Sequence, residues 1–324
     1  MFLRQLEYLD ALDREQHFGR AALACHVSQP ALSSAIGNLE RELGVPLVRR
    51  GRRFQGVTPE GRRVLDWARR VLRDVHGLEQ EASRLRGGLE GILRLGAIPT
   101  ALPASTLITT RFRVLHPGVR IQVRSMSSRE ILPALSTGEI DAGLTYLDNE
   151  PLGDVRATPL WREHYLLVTP ASGPLSGSPT VSWAAAAELP LCLLTPDMQH
   201  RRIVDAAFAA AGATPHPVVE TNSVSTLIAH VRSGLSAVTA HTWLVTNRLP
   251  AGLRAFPLVA PVVEHTIGLV SPFGAQPNPV VTELLASSAP VDLDEEIHRE
   301  SGRSRVPEPG EDASRSEAEV PHRL

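Results

Sequence analysis

The sequence predicts two unlike parts. A small all-α head with a hairpin leads into a long helix, and an α/β body of two lobes follows. Three observations predict this. Short capped helices with apolar faces fill most of the first 58 residues. An apolar repeat of seven residues then runs from Val64 to Leu85. From Gly91 onward, strand-like and helix-like stretches alternate, as in an α/β fold with a largely parallel sheet or sheets.

In the head, Leu3, Leu6, Leu9 and Leu12 make one apolar face, and "GRAALACHV" is a second short helix. The third begins at Ser28. Serine is a good N-cap, and Pro30 falls in the first turn, where backbone N–H groups lack intrahelical partners anyway. Leu32, Ile36, Leu39 and Leu43 form the buried stripe, and Gly44 ends the helix. "PLVRRGRRFQGVTPEG" then reads as an arginine-rich hairpin with its tip at 51–53. Thr58 caps the long helix, with Pro59 at its first position and Glu60 in its first turn.

That helix spans about 59–86. Val64, Ala68, Val71, Val75, Leu78, Ala82 and Leu85 follow the spacing of a two-helix coiled-coil seam, so a homo-oligomer, dimer or tetramer, is expected. Packing on its own domain is the alternative. Gly87 and Gly88 end the helix. The predicted divisions are residues 1–58, 59–88, 89–290 and 291–324.

In the body, "GILRLGAI", "VRIQVRS", "IDAGLTY", "LPLCLLT" and "LSAVTA" read as strands. "PASTLITTRFRVL", "SREILPALSTG", "RRIVDAAFAAAG" and "VSTLIAHVRSG" read as helices. Two hundred residues of this pattern suit two similar lobes with a cleft between them.

Charge is unevenly spread. Residues 1–90 carry 15 basic and 12 acidic side chains, residues 91–290 carry 13 of each, and residues 291–324 carry 5 and 10. The tail is rich in Ser, Pro, Glu and Arg, a composition that buries no core and predicts disorder. No run of about 18 apolar residues suggests a membrane span. The N-terminus lacks a secretory core, and the two cysteines, Cys25 and Cys192, make no metal or redox motif. A cytoplasmic, reduced chain is expected. No cofactor or metal is expected.

Two short helices at an angle, the second capped by Ser28, make a winged helix-turn-helix with the hairpin as wing. Such a helix enters a DNA major groove by its N-terminal end. Gln29, Ser33 and Gly37 lie along one face, with Ser34 and Asn38 beside them. Glutamine can contact adenine bidentately, and serine can reach bases or phosphates. Small polar residues also suit a merely solvated helix. The arginines Arg20, Arg49, Arg50, Arg52 and Arg53 favour phosphate contacts with double-stranded DNA.

The stretch from His17 to Gly61 resembles the LysR-type transcriptional regulators. The resemblance is carried by Ala21–Ala22, Val27–Ser33, Leu39–Glu40, Leu43–Leu47, Arg50 and Thr58–Gly61, in order and without gaps, and it extends more loosely to about residue 290. It implies an operator as partner, with Gln29 and Ser33 as base and backbone contacts; Ser28, Pro30 and Ser34 are the further expected positions at the DNA, and Ser34 stands where many relatives carry a basic residue. Arg50 and Thr58 would touch phosphates, and Arg53 would lie over the minor groove. Cys25 stands where relatives hold a leucine facing the core. RNA polymerase is a further candidate partner.

The resemblance also implies that the body is a two-lobed, periplasmic-binding-protein-like effector domain, its ligand held between the lobes near strand ends and helix N-termini. Thr100, Ser127, Ser128, Thr145 and Tyr146 are the expected positions in lobe one. Thr195, Gln199, Arg201, Asn222, Ser223 and His241 are those in lobe two. Hydroxyls at helix starts with an arginine opposite suit a small organic or inorganic anion. Each hydroxyl alone also suits simple capping.

Rival classes fare less well. There is no Gly-rich phosphate loop, G-x-S-x-G elbow, H-x-x-x-H or C-x-x-C pair, so an enzyme is not expected. A solute-binding protein has no need of residues 1–90. A redox-responsive regulator with a disulfide switch needs two cysteines in the body, where only Cys192 lies.

Overall fold

The computed structural model describes residues 1–50, 54–172, 175, 179–243, 249–273 and 278–288. The predicted hairpin tip with Arg52 and Arg53, the side chain of Arg50 and the acidic tail lie outside the described residues.

The head packs α1 (Leu3–Glu15), α2 (Phe18–Ala24) and α3 (Gln29–Leu43) around Leu9, Leu12, Leu32, Ile36 and Leu39, all fully buried. Ser28 begins α3: its hydroxyl accepts from the Ala31 N–H at 3.3 Å. Gly44, at φ 70°, ends it in the left-handed conformation that glycine adopts without steric cost. The wing strands β1 (Val48–Arg50) and β2 (Phe54–Val57) pair antiparallel. Glu40 ties them to α3 by accepting from the Leu47 and Val48 N–H groups at 2.8 and 3.1 Å.

The long helix α4 (Pro59–Leu85) starts hard against this wing. Gly61 is required there, since a Cβ would lie 2.1 Å from the Leu47 carbonyl oxygen. Farther along, the buried Arg69 binds Asp10 at 2.7 Å and Asp13 at 2.8 Å and fastens α4 to α1. Beyond that, Arg73 donates to the Ser136 carbonyl of the body.

The body begins with β3 (Gly91–Ala97), α5 (Ser105–Leu115), β4 (Val119–Ser125), α6 (Ser128–Thr137) and β5 (Ala142–Tyr146). The long β6 (Val155–Pro170) follows, then β7 (Val181–Ser182), α7 (Trp183–Ala187), β8 (Leu191–Leu194), α8 (Gln199–Ala210) and β9 (Pro217–Thr221). Next come α9 (Val224–Arg232), β10 (Ser236–Ala240), β11 (Leu253–Val259) and β12 (Glu264–Pro272), and α10 spans Pro279–Ser288. The strand order is β4-β3-β5-β12-β6-β10-β8-β9, with β11 also on β6.

Lobe one is the parallel set β4-β3-β5 closed by antiparallel β12. Lobe two is the parallel set β10-β8-β9, with β6 antiparallel to β10. β6 joins them: residues 155–164 pair with β12, and residues 165–170 pair with β10 and β11. Its burial changes with its neighbours. The first half alternates between sheltered and exposed, whereas residues 165–169 are buried on both faces. Among the described residues no helix is long and apolar enough to cross a membrane.

Candidate functional site

Two surfaces and one cleft collect the chemistry. On the head, Ser28, Gln29, Pro30, Ser34 and Asn38 are exposed along the start and outer face of α3, and Ser33 and Gly37 are half-buried. Arg20 and Arg49 are exposed nearby in sequence, and Arg20 also bonds the Glu15 carbonyl. Thr58 departs from the expected phosphate role. It is buried, its hydroxyl donates to the Pro46 carbonyl at 2.7 Å and accepts from the Gly61 N–H at 2.8 Å. It is the cap of α4 and has no hydrogen to offer DNA. Cys25 packs half-buried beside the head core, and burial raises its thiol pKa.

Along α4 the expected seam divides. Ala68 is buried in the head core and Val64 packs against it, so these two positions face their own domain. For these two positions the alternative, packing on the helix's own domain, holds: α1 covers the first half of α4. Val71, Leu78 and Leu85, seven apart, are exposed by 37%, 69% and 75%, and Trp67 joins them at 66%. Val75 and Ala82 lie half-buried between them. Four apolar side chains on one helix face meet water.

The cleft lies where the lobes meet. A pocket of about 220 Å³, its open mouth included, is lined from lobe one by Ile98, Pro99, Thr100, Ser127 and Ser128, and from lobe two by Leu194, Met198, Gln199 and His200. The enclosed part of that space is only about 10 Å³, room for a single water, so an ion of several heavy atoms enters as the lobes or the lining side chains shift. Two helices start at it from opposite sides, α6 and α8, and no side chain caps α8. The N-terminus of α8 presents partial positive charge to the space between them, while that of α6 is partly offset by the Glu130 carboxylate, which accepts from the Ser127 N–H at 2.7 Å.

Hydrogen bonds cross the cleft. Thr145, at the end of β5, donates to the Gln199 side chain at 3.3 Å, and Gln199 donates to Asn149. Arg202 holds Glu150 through two bonds of 2.6 and 2.9 Å and donates to the Ser128 hydroxyl at 3.3 Å. The Ser127 hydroxyl donates to Glu130 at 2.9 Å. Among the described residues, the Thr100 hydroxyl and both ring nitrogens of His200 are buried without a partner. Burial lowers the His200 pKa to about 3, so the imidazole is neutral.

Thus Thr100, Ser127, Ser128 and Gln199 line one pocket and Thr145 touches it, but the other expected positions lie elsewhere. Arg201 turns into lobe two, bound to Asp205 at 2.8 Å, to Glu220 and to the Leu194 carbonyl. The reason is helical phase: residues 201 and 202 point about 100° apart, so only one faces the cleft. Ser223 caps α9 at Thr226, Asn222 is exposed beside it, and the Thr195 backbone pairs with Thr221. Tyr146 is fully buried on the hinge and donates to Glu163. His241 accepts from the His164 N–H at 2.9 Å, also on the hinge.

Sequence reading missed Met198, His200, Arg202 and Glu150. Asp205, one turn after Arg201, was an available sign that Arg201 is paired on its own helix. Nothing in the sequence marked His200. Cys192 is fully buried in β8, away from the pocket lining, and burial raises its thiol pKa.

Residues 3–62 match the family model described as bacterial regulatory helix-turn-helix protein, lysR family, and residues 86–289 match the LysR substrate binding domain. The chain is 34% identical over 275 residues to the DNA-binding transcriptional dual regulator OxyR of Escherichia coli, covering 83% of this chain and 89% of that one. It is 35% identical over 239 residues to the "Probable hydrogen peroxide-inducible genes activator" of Streptomyces viridosporus, covering 72% and 75%. A solved full-length OxyR from Pseudomonas aeruginosa, a cysteine-to-aspartate variant, superposes with a TM-score of 0.73 at 27% identity, covering 91% of this chain and 98% of that one.

Proposed function

The chain belongs to the LysR family of DNA-binding transcriptional regulators, and from that premise we propose that a small anion held between its lobes controls its action on an operator. The observation that carries the reading is the pair of helix N-termini, α6 and α8, that face one pocket from opposite lobes. An anion bridging them favours the closed lobes by its difference in affinity for the two states. Gln29 reads bases at the exposed start of α3, and the arginines of the wing supply phosphate contacts. The exposed stripe on α4 joins two chains, so that two heads meet two half-sites, in a dimer or tetramer acting in the cytoplasm on RNA polymerase.

The named relatives suggest peroxide as a signal. A peroxide switch works through a reactive thiolate. The two thiols of this chain are Cys25 in the head and Cys192 in a lobe-two strand, and burial raises both pKa values. Neither lines the pocket. An effector that binds without oxidising a thiol therefore fits this chain better.

The test pairs a promoter reporter with operator gel shifts. Thr100→Val and Ser128→Ala are expected to lose induction and keep operator binding. Gln29→Ala is expected to cost roughly 1–3 kcal/mol on the operator and little on random DNA. Normal induction in both cleft variants would mean that the effector sits elsewhere.

A further inference from the structure

The pocket lacks the cation that an anion site normally offers. Among the described residues its lining contains no arginine, and the chain has no lysine. The two arginines of α8 are both committed: Arg201 to Asp205 and Glu220, and Arg202 to Glu150. What the pocket does offer is a buried imidazole. His200 is 4% exposed, and neither ring nitrogen has a hydrogen-bond partner.

A neutral imidazole has one donor nitrogen and one acceptor nitrogen. An anion brings acceptors only, so it can pair with the donor nitrogen alone and leaves the acceptor nitrogen buried without a donor. Protonated, both nitrogens donate, and the ring supplies the missing positive charge. We propose that the anionic effector enters this pocket together with one proton, which His200 holds while the ligand is bound. The inference rests on the reading of the cleft as the effector site.

The surroundings allow it. Among the described residues the lobe-one lining carries no ionisable side chain, and the Glu130 carboxylate stands next to it, bonded to Ser127. From β6, the Tyr165 ring lies 5.5 Å from the imidazole. Behind Tyr165 stand Glu163, and His265 at 6.2 Å, itself bound to Asp148 at 2.9 Å. On its own helix, Arg201 and Arg202 are neutralised by their carboxylates. Burial is the single cause that lowers the His200 pKa, so an anion arriving inside the pocket is the charge that can reverse it.

The experiment is isothermal titration of the full-length protein with acetate, at pH 6, 7 and 8, in two amine buffers of different ionisation enthalpy. The expected result is net proton uptake on acetate binding, largest at pH 6, and a Kd that rises with pH, by up to about tenfold per unit. His200→Gln is expected to lose both the uptake and the pH slope. The proton count on the unaltered protein stands even if the variant does not fold. Acetate binding that depends on Thr100 but takes up no proton overturns this inference and leaves the cleft reading intact. No acetate binding, or binding indifferent to Thr100→Val, overturns the anion reading of the cleft and this inference with it.

Discussion

The Tyr146 hydroxyl donates to the carboxylate of Glu163, and this bond joins the end of a lobe-one strand to the strand that runs through both lobes. From lobe two, the Thr242 hydroxyl donates to the same carboxylate at 2.8 Å. Glu163 is fully buried, and burial raises its pKa from 4.5 to about 7 against the pull of those hydrogen bonds. A single acid thus holds both lobes at their junction.

Its charge has a predictable effect on stability. Between pH 4.5 and about 7 the folded chain keeps a proton on Glu163 that the unfolded chain has released, so this group's contribution falls as pH rises. His200 acts in the opposite sense. Between about pH 3 and 6.5 the unfolded chain binds a proton that the folded chain lacks, so its contribution rises with pH. The two slopes offset each other between about 4.5 and 6.5. Glu163→Gln is expected to uncover the rising slope of His200 in urea unfolding followed by tryptophan fluorescence. A variant with the parent's pH profile would show that Glu163 does not exchange a proton on unfolding.

Arg69 supports a second prediction. It is 9% exposed and bridges α4 to Asp10 and Asp13 of α1. Arg69→Ala leaves Asp13 in a sheltered place without its cation and Asp10 with only the exposed Arg14 at 3.3 Å, a loss on the order of 3 kcal/mol. The head is expected to unfold early in a thermal scan and to lose operator binding, while the body melts as before. A head as stable as the parent's would mean that the pair adds nothing.

How much of this was legible in the sequence depended on how local the signal was. The helix α3 was legible because Ser28 and Gly44 mark its ends and Leu32, Ile36 and Leu39 its buried face. The strands β6 and β12 were missed, although they carry the hinge. In β6, Pro159 and Leu160 sit at a register shift opposite Ile267 and Gly268, and the buried Glu163 interrupts the apolar alternation. Such a strand is specified by its partners, not by its own pattern. For the same reason Ala68 read as seam although α1 buries it, and Arg201 read as cleft although Asp205 holds it. Periodicity gives a stripe, but not what covers it.

The exposed stripe of α4 carries a third prediction. Val71 and Leu78 meet water in the single chain, at 37% and 69% exposure. Seven-residue spacing brings them to one seam with a second copy. Val71→Glu combined with Leu78→Glu places charge in that seam. The expected outcome is a monomer in sedimentation and weakened operator binding, with the head and body still folded. An unchanged oligomer would remove this seam from the assembly.

The last prediction concerns the pair that spans the cleft. Arg202 of lobe two grips Glu150 of lobe one through two bonds, with side chains 23% and 31% exposed. Partial exposure limits such a pair to about 1 kcal/mol. That amount still changes the ratio of closed to open lobes roughly fivefold. Arg202→Gln and Glu150→Gln are each expected to expand the protein in small-angle scattering without ligand, and to shift basal reporter output in one common direction. The double variant is expected to go no further than Arg202→Gln, which removes the bond to Glu150 together with the bond to Ser128. Additive shifts would mean that the two side chains act separately, and that the lobes are held together by the Gln199 contacts and the buried hinge instead.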